Sequence, residues 1–396
     1  MIRSSKWLDR VKILPYDFLP TFAGMKRLKT MLLYFFILLL LLAAGAWIFL
    51  QTPTFGAEAT GDRLARIQRS KHYHGGSFQN VDPTDVMRRD ASYPAMLLDN
   101  FRKPADVEPA YKLPSVQTNL ATLPDTGTSV VWFGHSSYLI KSEGVTLLID
   151  PVLSGYASPV SFFGKAFPGT SVYTAANMPR IDVLVLTHDH YDHLDYETLV
   201  ALRNRVTRVV APLGVGAHLE RWGYDAPRIT ELDWNEDVTI SEGFAITAVP
   251  ARHFSGRGLK RGQSLWNAYV LDINTQRIFL GGDSGYGAHF KSIGQQYGPF
   301  DLAFLECGQY GRDWPSIHMF PKEVAQAARD LHTNVLLPVH WAKFALGFHP
   351  WREPIRQLTE AITPADSFRL TTPRIGEPVV LKQPLPNSRW WEEIGN

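Results

Sequence analysis

Residues 188–193 constrain this 396-residue chain more than any other segment, because they carry the pattern His-x-His-x-Asp-His. The segment directly follows an apolar run at 181–187 that has the composition of a buried strand. On a helix, His188, His190 and His193 would point in different directions, whereas a tight loop after a strand brings them to one point. Neutral imidazole is the commonest metal ligand, and a carboxylate is a suitable oxygen partner. The pattern therefore predicts a metal-dependent hydrolase site.

Single metal-competent side chains also follow three later apolar runs. His253 comes shortly after such a run, Asp283 follows two glycines that end another, and His340 follows a third directly. A lone histidine after a strand is more often structural, but three such cases beside an intact 188–193 segment favour a shared site.

The charge balance argues against one kind of ligand, and the cysteine content excludes disulfides and cysteine-based metal sites within the chain. Seven Lys/Arg and two acids give residues 1–30 a charge of +5, so the remainder carries −3 of the net +2. A slightly acidic body argues against nucleic acid as the main ligand. A single cysteine, Cys307, excludes an intrachain disulfide and a cysteine-based zinc cluster.

Residues 31–50 are uncharged and apolar, and as a helix they would extend about 30 Å, the thickness of a bilayer core. We expect a transmembrane anchor there, with residues 1–30 as a cytoplasmic basic N-terminus and the catalytic domain extracytoplasmic, hence periplasmic in a bacterium. A cleaved signal segment is the alternative, with Met25 as the true start and a weak cleavage pattern at residues 57–59.

The rest of the chain divides at about residue 125. Residues 51–125 are rich in Pro, Gly and polar breaks and predict an irregular arm packed on the core, whose His72 and His74 are either further metal ligands or part of that packing. Residues 126–396 predict the catalytic domain, in which many strands and a few interspersed helices indicate two stacked sheets flanked by helices. The predicted strands lie at 129–133, 138–140, 145–151, 181–187, 208–211, 238–240, 244–249, 267–273, 277–281, 301–305 and 334–339, and the predicted helices at 196–203, 215–222 and 321–331.

Several of these segments together resemble the metallo-β-lactamase-fold superfamily, and within it the N-acyl-phosphatidylethanolamine-hydrolysing phospholipase D branch and its bacterial relatives. The matching segments are 132–137, 148–151, 187–195, 251–257, 281–286, 318–321 and 339–341. The resemblance covers about residues 72–345. The chain departs from the branch at 267–269, where Asn-Ala-Tyr replaces the more usual small-Ser-Trp.

The resemblance implies an α/β fold of the αββα sandwich type that holds two zinc ions and hydrolyses its substrate through a metal-bridging hydroxide. His188, His190 and His253 would bind one ion, Asp192, His193 and His340 the other, and Asp283 would bridge them. His318 would be catalytic beside Asp283, by protonating the leaving alkoxide. Six terminal ligands and one bridging carboxylate suit a two-metal centre. Iron or manganese remains an alternative to zinc.

The expected activity is that of a phosphodiesterase of the phospholipase D type, acting on N-acyl-phosphatidylethanolamine-like phospholipids. Arg257, in a basic loop beside His253, and Tyr286 are the candidate substrate-binding residues. Apolar loops near ligand-bearing strands, at Phe162, Phe163 and Phe167 and at 341–348, either admit acyl chains or pack as a lid. The alternatives are a lactonase similar to the ascorbate-6-phosphate lactonases, a nuclease similar to the tRNA 3′-processing enzymes, or a non-catalytic metal-binding scaffold. The oligomeric state stays open.

Overall fold

A computed structural model describes residues 22–394 except 93, 97 and 99–101. The chain divides into one unit that ends at Thr52 and a second that begins at Pro53. In the first unit, helix α1 (Phe22–Leu50) includes a stretch from Met25 to Leu50 that is long and apolar enough to cross a membrane. A signal sequence near an N-terminus has the same features. The more N-terminal part of the predicted basic segment, residues 1–21, lies outside the described residues.

The second unit begins with an arm and continues into two seven-stranded sheets. The arm contains helix α2 (Gly61–Arg69) and a short hairpin, β1 (Tyr73–His74) and β2 (Ser77–Phe78). The first sheet has the order β16-β3-β4-β5-β6-β7-β8, and the second the order β15-β14-β13-β12-β11-β10-β9. The strands of the first sheet are β3 (Thr128–Trp132), β4 (Tyr138–Ser142), β5 (Val145–Ile149), β6 (Ile181–Val185), β7 (Val206–Pro212), β8 (Ile229–Leu232) and β16 (Pro378–Val380). The strands of the second sheet are β9 (Asp237–Ser241), β10 (Phe244–Pro250), β11 (Asn267–Ile273), β12 (Gln276–Leu280), β13 (Leu302–Glu306), β14 (Val335–Val339) and β15 (Arg369–Leu370).

Helices cover the outer face of each sheet. Leu199 and Leu219, from two helices, share a buried cluster with Leu184 and Val209 of the first sheet. On the second sheet, the Phe279 ring lies 6.3 Å from that of the helical residue Phe290. The helices are α3 (Tyr196–Leu202) and α4 (Gly216–Arg221) on the first sheet, and α5 (Ala288–Tyr297), α6 (Pro321–Asp330) and α7 (Glu353–Ala361) with the second.

The inner faces of the two sheets pack against each other, because alternate residues of each strand point to opposite sides. Val130 and Trp132 of β3 belong to the cluster shared with the second sheet, whereas Val131 belongs to the outer cluster with the helices. Tyr138 of the first sheet and Phe304 of the second stack with ring centroids 4.0 Å apart and planes 4° apart. The αββα layering is therefore confirmed.

Most elements agree with the sequence-based prediction to within two residues at each end. The apolar runs that precede the candidate ligands are strands β6, β10, β12 and β14. The prediction missed α5 and α7, the edge strands β8, β15 and β16, and helix α2 and the β1–β2 hairpin of the arm, which was predicted to be irregular. These elements are short or only moderately apolar, and tertiary packing rather than local pattern defines them.

Stacking between the sheets predicts a large stability effect at Phe304. We expect Phe304→Ala to lower the free energy of unfolding by about 3–5 kcal/mol, because it removes a fully buried ring and leaves a cavity. Urea unfolding of the detergent-solubilised chain, followed by tryptophan fluorescence, measures the change. Phe304→Leu is the matched control and should cost less than about 2 kcal/mol. Equal losses in the two variants would show that the cavity left by alanine is not the main cost.

Candidate metal centre

All seven residues predicted as metal ligands come together at the ends of strands from both sheets. The loop after β6 supplies four of them, and the ends of β10, β12 and β14 supply one each. Ligand-type atoms lie within 4.8 Å of one another in overlapping groups, one of which is His188, His190 and His253. A second group contains Asp192, His193 and His340 together with His135, and Asp283 joins further groups.

The first group is compact. His190 Nδ1 lies 2.9 Å from His188 Nε2 and 3.2 Å from His253 Nε2. Asp283 Oδ2 lies 3.8 Å from both of those Nε2 atoms. Ligands placed tetrahedrally about 2.0–2.1 Å from a zinc ion are roughly 3.3 Å apart, so the spacing of these four atoms suits a metal ion.

The second group lies on the other side of Asp283. Asp283 Oδ2 is 3.1 Å from His193 Nε2, and Asp283 Oδ1 is 3.1 Å from His340 Nδ1. Asp192 Oδ2 is 3.5 Å from His193 Nε2 and 2.8 Å from His135 Nε2. The Asp283 carboxylate thus contacts both groups: its Oδ2 faces the first group and His193, and its Oδ1 faces His340.

Unpaired buried atoms show that these residues fit a cation. His193 Nε2 and Asp283 Oδ1 are buried and make no hydrogen bond within the described part of the chain. A buried polar atom without a partner costs about 1–3 kcal/mol, so such atoms are rare unless another ligand satisfies them. Nitrogen and carboxylate donors without any thiolate suit zinc, iron or manganese.

Burial sets the protonation state of most of these imidazoles. It lowers the pKa of His188, His253 and His340 well below the ordinary value, and that of His190 to about 4. Neutral imidazole is the form that binds a metal. His193 differs: burial lowers its pKa, but Asp283 and Asp192 outweigh burial and raise it. Burial raises the pKa of Asp283 to about 6, although His193 opposes the shift.

The imidazoles are oriented by a shell of hydrogen bonds. His193 Nδ1 donates to Asp150 Oδ2 at 2.8 Å, and His253 Nδ1 donates to the Ile317 carbonyl at 2.9 Å. Such partners fix the tautomer and direct the other ring nitrogen at a metal. Asp189 and Asp195, the other carboxylates near this loop, instead bind other parts of the chain. Asp189 accepts from Ser264 Oγ and the Gly256 amide, and Asp195 accepts from Thr198 and Ser154.

Strained backbone marks the same place. Asp150, His135 and His340 have positive φ angles of 40°, 52° and 68°. Non-glycine residues adopt this region rarely, and where they do it is often at functional sites. Gly282, at φ 58°, precedes Asp283, and a Cβ there would lie 3.0 Å from Thr187 Cβ. A glycine is required because the loop after β12 passes this close to the loop after β6.

His318, the predicted catalytic residue, also lies at the centre. Its ring is 5.0 Å from that of His253 and 5.2 Å from that of His340. His318 Nδ1 lies 2.6 Å from Glu306 Oε2, and the amides of Ser284 and Met319 donate to Glu306 Oε1. Burial raises the pKa of Glu306 well above its usual range and lowers that of His318.

The two predicted substrate-binding residues have other partners. The buried Arg257 guanidinium donates to the carbonyls of Thr54, Asp189 and Leu194. The Tyr286 hydroxyl donates to Asp330 Oδ2 at 2.7 Å. These contacts correct our expectation, since both polar groups are engaged by protein atoms, and we do not propose either residue as a substrate ligand.

Residues of the arm support the centre without joining it. Among the described residues, neither His72 nor His74 belongs to a group that could hold a metal, and the His72 ring packs 4.5 Å from that of Trp234. Asn80 instead binds the backbone of a ligand: its Nδ2 donates to the His253 carbonyl, and its Oδ1 accepts from the His253 amide. The packed-arm alternative fits this geometry.

Prediction from sequence missed three residues of the site: His135, Glu306 and the orienting Asp150. Each stands at or just after the end of a strand, β3, β13 and β5 respectively. That position was the signal used for the other ligands.

Comparison with known sequences gives a consistent result. The family described as "Beta-lactamase superfamily domain" matches residues 146–341. The protein Rv0906 of Mycobacterium tuberculosis is 37% identical over 358 residues, which cover 88% of this chain and 95% of that protein. The N-acyl-phosphatidylethanolamine-hydrolyzing phospholipase D 1 of Caenorhabditis elegans is 29% identical over 269 residues, which cover 64% of this chain and 76% of that one.

A solved structure supports the fold. Igni18, a metallo hydrolase from the archaeon Ignicoccus hospitalis, superimposes with a TM-score of 0.50 at 19% sequence identity. The match covers 65% of this chain and 99% of Igni18. At this identity the likeness concerns the fold alone.

The hydrogen bond between Asp150 and His193 predicts an effect on metal affinity. We expect Asp150→Asn to weaken metal binding by about 10–100-fold, because the amide no longer provides a charged acceptor for His193 Nδ1. Competition with a chromophoric chelator measures the affinity. Asp182→Asn is the matched control, since Asp182 accepts from the Thr146 amide at the far end of β6. Unchanged affinity in Asp150→Asn would show that His193 needs no such partner.

Proposed function

The chain belongs to the β-lactamase superfamily and is a metal-dependent hydrolase of that superfamily. From this premise we propose that it is a dinuclear zinc phosphodiesterase that acts on phospholipids. The observation that supports two ions is the position of Asp283: its Oδ2 lies 3.8 Å from His188 Nε2 and 3.1 Å from His193 Nε2, so one carboxylate is shared by both groups of ligand atoms. His188, His190 and His253 would hold one ion. Asp192, His193 and His340 would hold the other, with Asp283 shared.

Bound metal ions at such a centre lower the pKa of a coordinated water and stabilise negative charge on a phosphoryl oxygen. The protein's own contribution is to hold the ligands rigidly and to keep the site dry. His188, His193, His253 and His340 are each 1% exposed or less. Because water is excluded, the interactions of these residues with charge that develops during the reaction are stronger than they would be in water.

His318 is placed to serve the leaving group. Glu306 engages its Nδ1, so Nε2 is the ring atom left to face a substrate. An alkoxide leaves more readily when it receives a proton, and a positioned imidazole is the commonest donor. Because burial raises the pKa of Glu306, its carboxylic acid can donate to His318 Nδ1, which fixes the ring and leaves the proton of His318 on Nε2, facing the leaving group. We therefore propose His318 as a catalytic residue and Glu306 as its positioning residue.

A lipid substrate is supported by two observations. The similar protein from C. elegans is described as hydrolysing N-acyl-phosphatidylethanolamine. The apolar stretch of α1 is long enough to anchor the chain in a membrane, where such a lipid resides. We propose that α1 is an uncleaved anchor whose N-terminal side is cytoplasmic, because the flanking cations lie on that side.

Substitution of Asp283 tests the proposed centre. We expect Asp283→Asn to lower phosphodiester hydrolysis by roughly a thousandfold and to reduce the bound metal, because the shared carboxylate is lost. Elemental analysis and assays against an N-acyl phospholipid, a phosphorylated lactone and an RNA measure both effects. Asp301→Asn is the control, since Asp301 accepts from the Arg277 amide beside the start of β13.

The outcomes of this experiment are distinct. Wild-type protein that turns over only the lactone, or only the RNA, would refute the lipid proposal while retaining the metal centre. Wild-type protein that contains no transition metal would refute the centre itself.

Leaving-group dependence tests the His318–Glu306 pair. We expect His318→Asn to lower kcat for a lipid substrate by about 100-fold, and Glu306→Gln by about 10-fold, with little change in KM. A p-nitrophenyl phosphodiester, whose leaving group needs no proton, should be affected less than about threefold by either change. Equal loss on both substrates would mean that the two residues serve structure. Metal content, measured in parallel, should stay unchanged.

A further inference from the structure

An exposed aromatic pair lies on a hairpin beside the metal centre. Phe162 and Phe163, here called the apolar tip, are 77% and 62% exposed. The hairpin belongs to the connection between β5 and β6. Large apolar side chains scattered singly on a surface are ordinary, but two adjacent phenylalanines at one tip call for a partner.

Hydrogen bonds hold the hairpin in shape. The Ala157 amide donates to the Gly164 carbonyl, and the Ala166 amide donates to the Gly155 carbonyl, both at 2.9 Å. Ser158 Oγ donates to the Phe163 carbonyl at 3.0 Å. The exposure of the apolar tip is therefore a property of an ordered turn.

The base of the hairpin is fixed to the metal centre. Ala157 packs with Val152 and Phe344 in a small buried cluster. The Phe344 ring lies 5.2 Å from that of His135, in an edge-to-face arrangement. Lys343 Nζ is buried and donates to the carbonyls of Val152 and Phe133. The apolar tip thus belongs to the edge of the two sheets that carries the candidate ligands.

A second apolar side chain projects from the same edge. Leu259 is 86% exposed, on the loop that begins at the candidate ligand His253. Exposed cations accompany both features: Lys165 follows the apolar tip, and Lys260 and Arg261 follow Leu259. Lys260 also pairs with Glu58, 3.0 Å away. Apolar side chains flanked by lysine and arginine are the composition of segments that bind an anionic bilayer surface.

We propose that the apolar tip inserts into the surface of an anionic lipid bilayer, with Lys165 and the loop at Leu259 beside it. A bilayer is favoured over a protein partner because cations flank both features and because the chain carries a candidate membrane span. Two residues separate the end of that helix from Pro53, where the catalytic unit begins. The proposal rests on the proposed function, because insertion of the apolar tip would bring the metal centre close to lipid substrates. The test of insertion itself does not require hydrolysis.

A fluorescent probe at the apolar tip tests the insertion. The full chain carries Phe163→Cys labelled with an NBD group, which is selective because the one native cysteine, Cys307, is fully buried. It is reconstituted singly into nanodiscs that contain phosphatidylglycerol, with and without nitroxide-labelled lipid. We expect a blue-shifted emission and at least about twofold quenching by the nitroxide lipid.

Glu242→Cys is the matched control. Glu242 is exposed in the turn before β10, at the end of that strand opposite His253, so its label should remain unquenched. Phe162→Cys provides a second probe of the same tip if the first variant does not fold. A tip label that is no more quenched than the label at 242 would overturn the proposal. So would a tip label that changes only when two copies share a disc, since the partner would then be a second chain.

The serine double variant, Phe162→Ser with Phe163→Ser, separates docking from chemistry. We expect at least about a fivefold loss of turnover on a lipid embedded in vesicles, with unchanged turnover of a soluble short-chain phosphodiester. Equal activity on vesicles would contradict the role in docking. If the wild-type protein is inactive on both substrates while the label on Phe163→Cys is quenched, the proposed function would be refuted and the insertion would stand.

Discussion

The structure depends on one constraint. Histidine nitrogens and carboxylate oxygens from both sheets are buried together at one edge of the sandwich, where the protein offers them too few hydrogen-bond partners. These donor atoms come from the ends of strands that lie far apart in the chain, and within each of several overlapping groups they lie within 4.8 Å of one another. Like donors crowded together repel unless a cation lies among them, and burial removes the water that would otherwise solvate them. The sandwich therefore contains a site at which a bound cation would offset the repulsion among these buried atoms and stabilise the folded chain.

The surrounding residues make sense as a response to that constraint. Asp150 binds His193 Nδ1 and also accepts from the Thr187 amide and hydroxyl, so one carboxylate fixes both a ligand and the start of the ligand loop. Positive φ angles at His135, Asp150 and His340 are a local cost in strain. That cost is tolerable because close packing between the sheets, as between Tyr138 and Phe304, supplies several kcal/mol of stability.

The candidate ligand residues that the fold brings together could be identified from the sequence because their signal is local. A strand pattern followed by a histidine or an aspartate is visible in one stretch of chain, as at residues 188–193 and at His340. The orientation of these side chains was not predictable, because it depends on hydrogen-bond partners from distant parts of the chain, such as Asp150 and the Ile317 carbonyl. Asp189 stands between two ligands in the sequence, yet its oxygens bind Ser264 and Gly256. Arg257 has the chemistry of a phosphate ligand, but the fold places its guanidinium among carbonyls.

The arm shows why a boundary at residue 126 does not describe the catalytic unit. Asn80 holds the main chain of His253 through both its amide and its carbonyl, and it also accepts from the indole of Trp266. The Thr54 carbonyl accepts from Arg257, whose other donors bind the backbone of the ligand loop at Asp189 and Leu194. Two ligand-bearing loops thus take their shape partly from residues that precede the sheets. The compact unit that begins at Pro53 includes the arm, whose residues bind the backbone of His253 and the side chain of Arg257.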